Sequence, residues 1–306
     1  MRGKERGVIE SNARVGFVGA GKVGVALGEL FRGCGIAVSG YASLLACDAQ
    51  SAAKKTSSVA FDNAVDVIEA SDVIFFTVPD GEISNAWNSL VDSYGAAAAD
   101  VLFGKIVCHC SGALPAAALT DAAEYGAHAA SVHPLFAISG GGSAHAKIGS
   151  ALFTLEGDAS ALAAVSTLLD ACEVRHRQIA SCDKPLYHAA AVCASNLAVG
   201  LFASAQTMLE RCGFDADEAR GALRPLFVGN CESIAERGPV DALTGPIERN
   251  DSETVMGHLL AFREDPTLLK ERDAYTALSR VVVEIAAAKH PERDYSQLAE
   301  ILRAAR

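Results

Sequence analysis

Hydrophobic positions along the chain fall into two regimes that change over near Asp183-Lys184-Pro185. Before that point, apolar runs of strand length alternate with stretches of helical period. Residues 14–18, 35–41, 59–61, 72–80, 105–113, 126–132 and 151–155 read as strands, several of them rich in β-branched or aromatic residues. Residues 25–31, 62–70, 83–91 and 161–171 read as helices, the last with Asp158 placed to cap it. After the changeover only helical periodicity is found, over 186–212, 215–237 (interrupted at Pro225), 252–262, 266–289 and 295–306, with Asp215 and Ser252 as caps. Strands alternating with helices predict a mostly parallel, doubly wound α/β sheet covered on both faces, followed by an all-α domain. The expected division is a disordered tail over 1–12, the α/β domain over 13–182 and the helical domain over 183–306.

The first strand, Arg14-Val15-Gly16-Phe17-Val18, runs into Gly19-Ala20-Gly21-Lys22-Val23-Gly24 and then into a helix. In a G-x-G-x-x-G loop between strand and helix, the first glycine permits the tight turn. The second lets backbone approach a pyrophosphate, and the third lets the helix pack close to the strand. The unpaired N–H groups and positive dipole end of that helix suit an anion. An ordinary tight turn is the competing reading, and the strand–loop–helix context argues for a dinucleotide. The second strand ends at Ala42-Ser43 with no Asp or Glu to hold a ribose 2′-hydroxyl. That favours NADP over NAD, with Ser43, and Lys54 or Lys55 nearby, as partners for a 2′-phosphate. Val78-Pro79-Asp80 ends another strand at the carboxyl edge of the sheet, where open α/β sheets bind ligands.

The chain has 306 residues, half of them hydrophobic, which suits two globular domains. A formal net charge of −11 argues against a nucleic-acid or anionic-membrane surface but leaves local amides free to bind phosphate. Nine cysteines without paired spacing point to reduced thiols and a cytoplasmic protein. Cys108-His109-Cys110 lies in a strand-like run whose alternate residues face opposite ways, so no metal site is expected. Residues 1–12 are polar and lack the apolar core of a signal peptide. Residues 186–209 are apolar but rich in alanine and serine and include Asn196 and Gln206. That suits a tightly packed soluble helix better than a membrane span.

Lys184, His188 and Asn196, spaced by four and eight residues, should share one helical face. Such a stripe either bonds the facing domain or lines a ligand cleft, with Lys184 or His188 donating a proton and Asn196 orienting substrate or cofactor amide. The segment Leu243-Thr244-Gly245-Pro246-Ile247-Glu248-Arg249 places Arg249 in a fixed turn, either as a surface pair with Asp251 or as a fork for a carboxylate.

Val15 to Gly24, Thr77 to Asp80, His109-Cys110-Ser111-Gly112, Ser131-Val132-His133-Pro134-Leu135, Glu156-Gly157-Asp158, Leu186-Tyr187-His188-Ala189-Ala190-Ala191, Ala194-Ser195-Asn196 and Leu243 to Ile247 form a distinctive set. Together they resemble a bacterial family of Rossmann-like plus DUF2520 proteins, in the F420-dependent-type Rossmann group of NADP oxidoreductases. The wider relatives are ketopantoate reductase, 3-hydroxyisobutyrate dehydrogenase and pyrroline-carboxylate reductase. The resemblance implies that the helical domain completes the site and mediates a homodimer. In the ketopantoate and hydroxyisobutyrate enzymes a catalytic Lys precedes an Asn by four residues; here Lys184 matches and His188 stands at the Asn position. Ala42 stands where many relatives carry Arg, and Asn250 departs from a frequent Arg-Gly-Asp.

The reading these features imply is an NADP-dependent oxidoreductase acting on a small 2-oxo acid or related carbonyl, with small-molecule partners and no metal. Gly19, Ala20, Gly21, Lys22, Val23, Gly24 and Ser43 would hold the cofactor, with Val78, Pro79, Asp80, Ser111 and Gly112 along its nicotinamide end. Lys184, His188 and Asn196 would be catalytic, and His133, Thr244 and Arg249 would contact substrate. The alternatives are a non-catalytic nucleotide sensor and a reductase that uses F420.

Overall fold

The computed structural model describes residues 13–137 and 148–305. The expected tail over 1–12 and the glycine-rich stretch over 139–143 lie outside the described residues. The chain divides into two compact units, one through Val192 and one from Cys193.

The first unit is built on eight strands: β1 (Arg14–Val18), β2 (Ala37–Ala42), β3 (Val59–Ala60), β4 (Val73–Phe76), β5 (Ile106–His109), β6 (His128–Pro134), β7 (Phe153–Gly157) and β8 (His176–Gln178). They form one sheet in the order β3-β2-β1-β4-β5-β6-β7-β8. Every pair is parallel except β6 and β7, which run antiparallel. Strand order reverses between β1 and β4, and open α/β sheets bind ligands outside the carboxyl ends of the strands at such a reversal.

Helices α1 (Lys22–Gly33), α2 (Ala46–Thr56) and α6 (Ala159–Ala171) contribute to the core on one face of the sheet. Helices α3 (Ala64–Ala70), α4 (Ile83–Tyr94) and α5 (Ala98–Leu102) contribute to the core on the other. The central strands supply both cores by simple alternation: Val73 and Phe75 belong to the first, Ile74 and Phe76 to the second. Both Asp158 and Asn63 cap the helices they precede, accepting from Ala161 and Asp66 N–H. Lys105 Nζ donates to Ile68 O at 2.9 Å and Ser71 O at 2.6 Å, closing the end of α3.

Helix α1 lies unusually close to the sheet. A Cβ on Gly28 would stand 1.7 Å from Tyr41 Oη, and Tyr41 is itself fixed by stacking on Phe17 at 4.9 Å. The chain closes the first unit with α7 (Lys184–Ala194), entered through a single turn over Ser181–Asp183.

The second unit holds α8 (Asn196–Arg211), α9 (Ala216–Ala242), α10 (Ser252–Glu264), α11 (Leu269–Lys289) and α12 (Ser296–Ala304). Three expectations are corrected here. The helix expected over 186–212 is broken at Ser195, whose φ of −124° and ψ of −80° are not helical. Helix α9 runs straight through Pro225 and turns instead at Gly238, with φ 78° and ψ 166°, next to Pro239. Proline lacks an N–H wherever it stands, but Gly238 alone in α9 departs from helical dihedrals. The cap of α10 is Asp251, accepting from Thr254 N–H at 3.0 Å, one residue before the expected Ser252.

The core of this unit is small: Ile247, Val255, Leu259, Val283, Ala286, Tyr295, Leu298 and Leu302. Helix α8 contributes no buried residue, so the expectation of a tightly packed alanine-rich helix is not met within one chain. Helical structure over Ser181–Arg211 is apolar and long enough by composition to cross a membrane, with a mean hydropathy of 1.5. The break at Ser195 divides it into α7 and α8, of 11 and 16 residues, each shorter than the roughly 20 residues a bilayer requires. The loop between α9 and α10 is tied down by its neighbours. Lys289 Nζ donates to Leu243 O at 2.8 Å, Tyr295 Oη and Arg293 Nη1 donate to Glu248 O at 2.7 and 3.0 Å, and the Glu248 carboxylate bonds His290.

Gly28→Ala should lower stability by about 1–2 kcal/mol, overpacking outweighing the gain of about 1 kcal/mol in helix propensity. Adding Tyr41→Phe, which removes the clashing oxygen, should recover part of that loss; equilibrium urea unfolding of the single and double variants reads both. The bond from His290, then the surrounding cations, holds the Glu248 carboxyl below the ordinary 4.5. A depressed carboxylate stabilises the fold above its unfolded pKa, and that contribution is lost as pH falls through the folded value. Thermal melts from pH 6 to pH 3 should therefore show a shallower acid decline for Glu248→Gln than for the natural chain.

Candidate functional site

The loop from β1 to α1 is shaped by what surrounds each glycine. Gly19 has φ +106°, and a Cβ there would meet the backbone of Thr77 and Val78 at 2.8–2.9 Å. A Cβ on Gly24 would lie 2.4 Å from Thr77 Oγ1 and 2.9 Å from Gly19 O. Thr77 Oγ1 donates to Gly19 O at 2.7 Å, and Gly19 N–H donates to Ala42 O at 2.7 Å, so the loop is fixed to the ends of β4 and β2. Gly21, by contrast, is uncrowded: a Cβ there would meet only Thr77 O, at an ordinary van der Waals distance of 3.8 Å. The helix that starts there has no side-chain cap and no acidic residue in its first turn. Rigid loop, open approach and uncapped amides are the features a pyrophosphate requires, so these residues fit a dinucleotide. Thr77, which fixes the loop, had no role in the sequence reading beyond its place in a motif.

Around the end of β2, Ala42 is buried, Ser43 half-buried and Leu44 fully exposed. Lys54 and Lys55 are not beside Ser43. They occupy the last turn of α2, which begins at Ala46, and at 1.5 Å per residue that turn is roughly 12 Å further along the helix. In a parallel sheet the returning helix carries its C-terminus toward the opposite edge, so sequence proximity misleads here.

On the other side of the reversal, a buried polar network joins the ends of β5, β6 and β7 to α7. Lys184, 1% exposed, donates from Nζ to Ser131 Oγ at 2.6 Å and Ser111 O at 3.2 Å. Ser131 Oγ donates to the same Ser111 O at 3.0 Å. Ser111 Oγ donates to Asp80 Oδ2 at 2.6 Å and accepts from Ala113 and Leu114 N–H. Glu156 accepts from Ala116 N–H at 2.6 Å and from Ser181 Oγ at 2.5 Å. Burial pushes the Lys184 ammonium below its ordinary value, against the pull of Glu156 and Asp80. His109 takes Ser111 N–H on Nδ1 at 3.2 Å, so its Nε2 proton goes to Pro115 O at 2.9 Å. Burial lowers its pKa as well.

Beside this network, His133 Nδ1 and Tyr187 Oη are 2.7 Å apart, with the two rings edge to face at 5.6 Å. His188 stands at 6.4 Å from His133, ring centre to ring centre. Gly112 makes room for both: a Cβ on it would lie 2.9 Å from His188 Nδ1 and 3.0 Å from His133 Nε2. Burial, then the Lys184 and His188 charges, push His133 down to about 4, so its ring is neutral at neutral pH.

The structure thus brings Asp80, Ser111, Gly112, His133, Lys184 and His188 together at one edge of the sheet, and adds Ser131, Glu156 and Tyr187. A carboxylate inside the apolar run Phe153-Thr154-Leu155-Glu156 was the available signal for Glu156, since a buried charge needs partners. The single helix expected to carry Lys184, His188 and Asn196 is two helices. Asn196 begins α8 beyond the break at Ser195, in the second unit, where it is exposed. Four- and eight-residue spacing places side chains together only on an unbroken helix. Thr244 and Arg249 are exposed on the tethered loop of the second unit. Among the described residues no cluster of three or more His, Cys, Asp or Glu is arranged to hold a metal ion.

No curated protein matches the chain by sequence. Among solved structures, it is similar to a Thermotoga maritima protein, TM1727, with 24% identity, a TM-score of 0.69 and coverage of 90% of this chain and 99% of that one. It is also similar to the NADP-bound pyrroline carboxylate reductase of Plasmodium falciparum, at 14% identity, TM-score 0.55, and 91% and 100% coverage. An imine reductase from Myxococcus stipitatus in complex with NADP+ is similar at 18% identity, TM-score 0.56, and 90% and 94% coverage. Residues 2–134 match the Rossmann-like domain family, and residues 151–282 match the domain of unknown function DUF2520. The chain is therefore a Rossmann-like plus DUF2520 protein.

Proposed function

We propose that this protein is an NADP-dependent oxidoreductase that reduces a small 2-oxo acid or a related polar double bond. The observation that carries the reading is the uncapped start of α1, fixed to β4 through Thr77 and left open at Gly21, beside the strand reversal. A bound nicotinamide dinucleotide supplies the hydride. The backbone N–H groups of Ala20 to Gly24 would receive its pyrophosphate, Gly19 shaping the turn, with Ser43 toward the 2′-phosphate and Val78, Pro79 and Ser111 toward the ring. Similarity to NADP-bound reductases supports that assignment. Lys184 acts as a positioning residue, since its ammonium is buried and committed to Ser131 and Ser111.

A second reading, reduction of an imine, is favoured by the same commitment. A 2-oxo acid needs a cation for its carboxylate, and in the first unit the buried Lys184 is engaged while His133 is neutral at neutral pH. The exposed Asp80 carboxylate suits a substrate that carries positive charge as an iminium. Imine reductases and a pyrroline carboxylate reductase are among the structural neighbours.

The protein is proposed to act as a homodimer in the cytoplasm. All nine cysteines are free thiols, in keeping with a reducing compartment. Leu197, Val199, Leu201, Leu226, Val228 and Ile234 on α8 and α9 are exposed, more apolar surface than a soluble monomer ordinarily leaves on neighbouring helices. A second copy meeting the same helices in two-fold fashion would cover it.

NADPH oxidation followed at 340 nm against parallel panels of 2-oxo acids and cyclic imines should show turnover with one panel. NADPH binding without turnover by either would favour the sensor reading, and turnover only with reduced F420 would replace the cofactor. Ser43→Asp should weaken NADPH binding by about tenfold or more through charge repulsion while changing NADH binding less than threefold. Light scattering should give the mass of two chains, and Val199→Asp with Leu226→Asp should halve it; an unchanged natural monomer would reject the dimer.

A further inference from the structure

We infer that Tyr187, paired with His133, is the group that gives the proton to the substrate's oxygen or nitrogen as its carbon is reduced. This rests on the reductase reading above and assigns a residue that the spacing argument passed over.

Two of the three other candidates at this edge, Lys184 and His109, are already committed. Lys184 Nζ is buried and donates to Ser131 and Ser111. His109 is locked between Ser111 N–H and Pro115 O. His188 turns a buried Nδ1, without a hydrogen-bond partner, onto the backbone of Gly112. Tyr187 is half-buried, and its hydroxyl meets His133 Nδ1 at 2.7 Å with the Thr154 side chain also beside it. A neutral His133 can carry its single ring proton on Nδ1 and donate it to the Tyr187 oxygen. That leaves the phenolic proton out of the bond to His133 and available to a substrate atom.

The step balances. The substrate carbon accepts hydride from the reduced nicotinamide, with its two electrons, and the C=O or C=N π pair moves to the heteroatom. The Tyr187 O–H bond breaks, a new bond from that proton to the heteroatom forms, and the phenolate keeps the electron pair. The Nδ1–H of His133 stabilises the phenolate until solvent returns a proton. Burial raises the Tyr187 pKa, so the hydroxyl stays protonated through the neutral range. The titratable or charged groups around the pair are His188 and Lys184 from α7 and Asp80 from the end of β4, with Thr154 of β7 facing the phenol. His133, pushed down to about 4 by burial first, cannot itself be the acid at neutral pH.

The first test needs no turnover. Histidine 15N NMR of the full chain, with and without NADP+, should show His133 neutral at pH 6 with its proton on Nδ1. Its signal is assigned by loss in His133→Asn and should shift in Tyr187→Phe. A proton on Nε2 in both states, with Nδ1 accepting from Tyr187, would overturn the proposal. With the substrate found above, Tyr187→Phe should lower kcat about 100-fold or more while NADPH affinity changes less than twofold. A Phe variant within threefold of the natural rate would overturn it. Replacing His188 by Asn should leave the natural rate of reduction within threefold; a loss in His188→Asn as large as that in Tyr187→Phe would assign the proton to His188 instead. Absence of turnover in the natural protein defeats the reductase reading and this role with it. Turnover that survives loss of the phenol defeats this role alone.

Discussion

A buried ammonium must find acceptors, and much of this protein's site geometry follows from where the Lys184 ammonium finds them. Its two acceptors are the hydroxyl of Ser131 on β6 and the carbonyl of Ser111 just after β5. Desolvating a charge costs several kcal/mol unless hydrogen bonds replace the lost water, so this lysine strongly disfavours any arrangement that separates α7 from those two strand ends. The same carbonyl takes the Ser131 hydroxyl, and the Ser111 side chain reaches Asp80 after β4. One side chain thus registers three strand ends and one helix against each other.

That registration sets the chemistry available. With α7 seated, Tyr187 meets His133 and His188 meets Gly112, one helical turn from the lysine that holds them. The lysine's ammonium makes two hydrogen bonds within the fold, and His133, pushed down to about 4 chiefly by burial, is neutral at neutral pH. On the opposite side of the strand reversal the constraint is steric. Gly19 and Gly24 let α1 stand against Thr77, and Gly28 lets it stand against Tyr41; the uncapped amides are fixed where a diphosphate would meet them. One half of the edge is tuned by a buried charge and the other by absent side chains.

The second unit follows a different economy. Its apolar core is confined to the loop before α10 and to helices α10, α11 and α12. Helices α8 and α9 contribute the buried Ala219 and Ala242 and an edge-to-face pair, Phe202 with Phe227 at 5.2 Å, and leave large aliphatic side chains in solvent. Burial of such side chains is worth about 25 cal/mol per Å2, so a surface of this kind gains from association.

The sequence by itself determined the fold class and the glycine loop between strand and helix, because both are written in local terms. Period-two and period-3.6 patterns, and a glycine spacing between Val18 and Val25, need no distant partner to be read. It also marked Lys184 and His188 as neighbours, since four residues on one helix are neighbours wherever the helix goes. What only the tertiary structure decided were the matters that hang on a break or on a partner far along the chain. A non-helical Ser195 broke the helix on which the stripe was expected, and the return path of α2 took Lys54 and Lys55 away from Ser43. Strand neighbours, not sequence neighbours, gave Lys184 its acceptors 53 and 73 residues away and gave Tyr187 its histidine 54 residues away. Periodicity records which face a residue occupies; hydrogen bonding in a buried site depends on what the facing strand brings, and one chain segment does not carry that information.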